Sequence, residues 1–180
     1  MELEVLGTSS STPDRDDLES IVLPGDHGLP GSFKRFAAQF GYGRMCGLLI
    51  MYSSEPSHPD SVIHQGARVK GFIDQALHED YLEFDPDGDE ALAARLYPFA
   101  GSENGEYFAW DVRAGCGDEY EIYVIASRMA GITHAAHDLG DLLDKMTSMS
   151  IKEIMGPGYE PLPPTFEALS TERHALERRA

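Results

Sequence analysis

The chain has 180 residues, enough for one domain around a single sizeable core, and its 42% hydrophobic and 25% charged residues exclude a disordered or fibrous chain. Its 14 Lys plus Arg stand against 31 Asp plus Glu, a formal net charge of −17. That argues against nucleic acid and membrane as partners, since both are held by cations neutralising negative charge, and leaves a surface suited to steering a basic protein or to solubility alone.

The first seven residues carry two acids and no basic segment, unlike a secretory signal, and no stretch approaches the roughly 20 apolar residues of a membrane span. With two cysteines, Cys46 and Cys116, and no CxxC spacing, the expectation is a reduced, cytoplasmic protein without a disulfide framework. Residues 1–17 read as a flexible leader, with Asp14 or Asp16 placed to cap a short helix after it. Ser32 is a good N-cap for a helix to Phe40, because Phe33, Phe36, Ala37 and Phe40 fall at i, i+3, i+4 and i+7. Gly41 and Gly43 stop it.

The apolar run 46–52 predicts a first strand, closed by Pro56 and Pro59. A helix over about 61–81 follows, with Val62, Val69, Phe72, Ile73, Ala76 and Leu77 inward. After an acidic loop, strands near 96–99, 105–112, 120–126 and 132–135 predict an antiparallel meander, and Asp138 caps a core helix over 139–146. These elements make a domain over 18–155. Residues 156–180 form a Pro-rich extension, pinned by Tyr159, Leu162 and Phe166, and a tail that reads as a frayed helix.

Seven of the twelve residues from Glu79 to Glu90 are acidic, yet neither calcium-loop register works. Starting at Asp85 puts Glu90 where glycine is needed and Leu96 where a bidentate Glu is needed; starting at Glu83 places Gly88 correctly but ends on Ala94. His134 and His137, three apart beside Asp138, read as surface histidines at a strand-to-helix junction because no third ligand follows at a recognised spacing. The segment 41–47 lacks the third glycine of a dinucleotide fingerprint, and Cys46 reads as a buried, inert thiol. No catalytic set, cofactor or metal is expected.

In the hairpin, Phe108 and Trp110 alternate with Tyr107 and Ala109, so one row packs inward while the other partly faces out. Core packing is the first reading for Phe108 and Trp110. An exposed aromatic inside the surrounding acidic rim would instead anchor a basic partner. The partner-binding candidates are therefore Glu103, Glu106, Trp110, Asp118, Glu119 and Glu121.

The segments 29–43, 47–52 and 97–111, with the strand 121–125 and the helix 139–146, resemble in this order the SUKH superfamily, the family of the yeast SMI/KNR-type cell-wall regulator and many bacterial toxin-immunity proteins. The resemblance spans about residues 18 to 148. It implies a single α+β domain, with a mixed or antiparallel sheet packed by helices. It also implies a non-catalytic immunity protein that neutralises a cognate toxin domain, often a nuclease or deaminase. The family has no catalytic motif and its partner-binding residues vary, so the six candidates rest on the local pattern. The long tail beyond Thr165 departs from the shared domain. Two other readings remain: a regulatory or scaffold module of the same fold, and a metal-dependent hydrolase using His134, His137 and an acid from the 79–90 run.

Overall fold

In a computed structural model describing residues 2–7, 13, 15–113 and 117–170, the periodic segments resolve into a large mixed sheet with helices on both faces. Asp14, Cys116 and the 171–180 tail lie outside the described residues. The chain opens with β1 (Glu4–Leu6), α1 (Arg15–Glu19) and a small ribbon of β2 (Val22–Leu23) and β3 (His27–Gly28). Next come α2 (Gly31–Phe40), β4 (Gly43–Met45), β5 (Leu49–Met51) and α3 (His64–His78). The acidic run forms β6 (Glu83–Pro86) and enters α4 (Glu90–Arg95). The meander is β7 (Leu96–Ser102), β8 (Tyr107–Asp111), β9 (Ile122–Ile125) and β10 (Ala130–Ala136). It is followed by α5 (Leu139–Met146), α6 (Ile151–Met155) and β11 (Thr165–Ala168).

Nine strands lie in the order β1-β11-β4-β5-β7-β8-β9-β10-β6. The two outermost pairs, β1 with β11 and β10 with β6, are parallel; the interior pairs are antiparallel. Residues expected as a leader therefore supply one edge strand, and the Pro-rich extension supplies its neighbour. Phe166 of β11 is buried against Phe36 and Phe40 of α2, at ring separations of 5.6 and 5.2 Å. Tyr159 and Leu162 pack on the same core, so the three expected pinning residues do hold the segment.

The sheet is apolar on both faces. On one, α2, α5 and α6 bury Phe33, Phe36, Leu142 and Ile151 against Phe99, Phe108, Trp110, Ile122 and Val124. On the other, Val69, Ile73 and Ala76 of α3 and Leu92 and Ala93 of α4 cover Leu96, Ala109, Ile125 and Ile132. Phe72, expected to face inward, is 41% exposed: it lies at the margin of the α3 stripe, with the Arg68 guanidinium 5.6 Å from its ring.

Local chemistry explains two further departures from expectation. The single strand expected over 46–52 is a hairpin, because Cys46 (φ 54°) and Gly47 (φ 67°) turn through the left-handed region and Leu48 N–H donates back to the Met45 carbonyl at 3.1 Å. Ser32 lies inside the first turn of α2, one residue past its start. Asp138 caps α5 as expected, its Oδ1 accepting from Asp141 N–H at 2.9 Å.

Candidate functional site

The six expected partner contacts do not form one face. Glu103 and Glu106 sit at the turn joining β7 to β8, while Asp118, Glu119 and Glu121 sit at the opposite end of β8. Trp110 is 1% exposed, stacked on Phe99 at 4.4 Å and meeting Phe33 edge-on at 5.1 Å, so it belongs to the core and a partner cannot reach it. Both faces of the sheet are covered, and neither row of β8 is left outside.

Most of the acids are also engaged. Glu106 is 9% exposed, accepts from the Tyr159 hydroxyl at 2.8 Å and is bonded to Ser102. Glu103 joins Glu167 in clamping Arg44, at 2.6 and 2.7 Å. Glu119 accepts from Ser32 N–H at 2.7 Å and Ser32 Oγ at 2.6 Å, so it satisfies the start of α2 from 87 residues away. Asp118 is exposed, with its backbone carbonyl accepting from Gly31 N–H at 2.8 Å.

Glu121 belongs to a different arrangement. His134 Nε2 lies 2.6 Å from its Oε2, and His137 Nδ1 lies 2.9 Å from the same oxygen and 3.0 Å from Oε1. Burial pushes the Glu121 carboxyl up, but hydrogen bonds from His137 and His134 outweigh it and hold the group below its usual range. The same bond and the charge of Glu121 raise the His137 imidazole above its ordinary value.

A bulge builds this convergence. His134 pairs with Tyr123, but Ala136, not Ala135, pairs with Ile122, and both alanines pack into the α2/α5 core. Two successive inward residues flip the alternation, so His137 shares a face with His134. The backbone is then pinned: His134 N–H donates to Asp87 Oδ2 at 2.9 Å, and His137 N–H to Asp141 Oδ2 at 3.0 Å. Asp141 is itself held by Lys145 at 3.1 Å. The third donor that sequence spacing did not offer is Glu121, directly before β9, and the pairing register of β9 with β10 brings it to the histidines.

Asp87 ties this cluster to the acidic run. Glu79, Asp80, Glu83, Asp85, Asp87, Asp89 and Glu90 are all exposed, spread from the end of α3 along the sheet edge β6 to the start of α4. Among the described residues no Lys or Arg forms an ion pair with any of them. Asp89 caps α4, accepting from Leu92 N–H at 2.6 Å.

Fold and surface together define one α+β domain, a large mixed sheet between helices, with an acidic edge and a Glu-His-His cluster beside it. No protein-family model matches the chain, and no curated protein or solved structure does. Among the described residues no helix is long and apolar enough to cross a membrane.

Proposed function

We propose that this chain is a non-catalytic immunity protein that captures and neutralises a basic toxin domain, the role its resemblance to the SUKH superfamily implies. The observation that carries the reading is the edge of seven exposed carboxylates, none of them ion-paired to a Lys or Arg among the described residues. Guarding a short edge strand against aggregation takes one or two charges; seven within twelve residues make a single-signed field. Such a field raises the encounter rate with a basic surface and sets which partners are tolerated.

The test uses the purified product of the adjacent reading frame, with association followed by stopped flow. Glu79→Lys with Glu83→Lys should slow association on the order of tenfold at low salt, with the gap closing as salt screens the field. An unchanged rate removes this edge from the interface. Absence of any complex with the unaltered chain removes the immunity reading and favours a scaffold module with another partner.

A further inference from the structure

Nothing in the binding reading uses Glu121, His134 and His137 together. We propose that they form a site for a divalent transition metal of the zinc class, with three protein ligands and at least one coordination position open to solvent.

Three features support it. First, one ligand atom from each residue lies within 4.8 Å of the other two. Zinc bonds of about 2.0–2.2 Å in a tetrahedron place ligand atoms about 3.3 Å apart. The contacts of 2.6 and 2.9 Å to Glu121 Oε2 need open only by several tenths of an ångström, a shift within reach of side-chain rotation. Second, two imidazoles and a carboxylate suit zinc, nickel, cobalt or copper, whereas calcium and magnesium favour sites made of oxygen alone. Third, the scaffold aims the ligands. The bulge turns both histidines to one face, Asp87 and Asp141 fix their backbones, and the Tyr123 ring meets His134 edge-on at 5.2 Å. Access is open on the His137 side, where the side chain is 74% exposed while Glu121 and His134 are at 32%.

The inference stands apart from the partner, so its test needs none. The full chain, stripped with a chelator, is titrated with zinc chloride by calorimetry and with cobalt(II) by visible absorption. One ion per chain is expected. Glu121→Gln and His137→Ala should each weaken binding by more than the roughly 10–100-fold that loss of an outer-shell partner costs a metal site. His64→Ala with His78→Ala, exposed on α3, should leave it unchanged. Zinc should raise the melting temperature of the unaltered chain by mass action and not that of His137→Ala. Circular dichroism confirms that each variant is folded, and Glu121→Gln decides the matter should His137→Ala fail to fold. No stoichiometric binding to the unaltered chain, or undiminished affinity in folded Glu121→Gln, overturns the site.

Discussion

Trp110 shows what a single residue contributes, because its ring is enclosed by Phe33, Phe99 and Tyr120. Trp110→Ala should cost about 3–5 kcal/mol, the range for emptying a large aromatic site in a core that relaxes only partly. Urea unfolding should show a lower midpoint with an unchanged slope, and partner capture by the folded fraction should be unaltered. Wild-type stability with weakened capture would return Trp110 to the surface role. The alternation of β8 was legible in the sequence, since Phe108 and Trp110 do share a face opposite Ala109. That both faces are covered was not, because a sheet buried twice has no polar row to mark its outside. Cys46 was legible as a buried thiol: burial pushes it up to about 12, outweighing its hydrogen bond with the Thr165 backbone, so thiolate is scarce at neutral pH. Glu119 was not legible as a cap, since capping patterns look three residues along the chain and Ser32 lies 87 away.

At the scale of elements, β11 ties β1 and the segment after α6 to the core. It pairs with β4 through Phe166, Glu167 and Ala168 and with β1 through Thr165, Phe166 and Glu167. Ending the chain at Met155 would strip the edge from β4, leave Arg44 without Glu167, and open the α2 aromatics to water. Such a truncation should abolish cooperative unfolding or drive the protein into aggregates, because an unpaired apolar edge is a template for association. Phe166→Ala, which keeps the strand, should cost about 3–5 kcal/mol and remain soluble. A cooperative melt at the full-length temperature from the 155-residue chain would show that β11 is dispensable. Proline hid this strand: Pro161, Pro163 and Pro164 signal an extended, unpaired segment, and pairing begins directly after them. The bulge in β10 was hidden differently. Spacing of three reads as a helical turn, and only the pairing of Ala136 with Ile122 shows a strand with one extra residue.

For the molecule as a whole, total charge was legible and its placement was not: the acids nearest the aromatic hairpin are mostly bound up in the structure, while those of 79–90 remain exposed. Like charges crowded on one edge repel, so the field that would speed capture should also weaken the fold. Glu79 and Glu83 allow both effects to be measured on one variant. Glu79 follows the last turn of α3, where the helix dipole favours a cation, and Glu83 lies on an edge strand, where lysine is a common guard. Local structure opposes lysine only through the exposed hydrogen bond that Glu79 accepts from Gln75 Nε2 at 2.9 Å, worth a few tenths of a kcal/mol. Glu79→Lys with Glu83→Lys should raise stability by about 0.5–1.5 kcal/mol at low ionic strength, from relieved repulsion and the dipole together. At about 2–4 °C per kcal/mol for a chain of this size, a thermal melt resolves that gain. The advantage should fade towards 1 M salt, where the screening length falls to about 3 Å. A variant that is more stable yet slower to capture its partner identifies these acids as kept for binding at the fold's expense. Should the double variant gain no stability at low salt, the carboxylates exert too weak a field on one another to steer a basic protein from a distance, and the acidic edge loses its claim to be the docking surface.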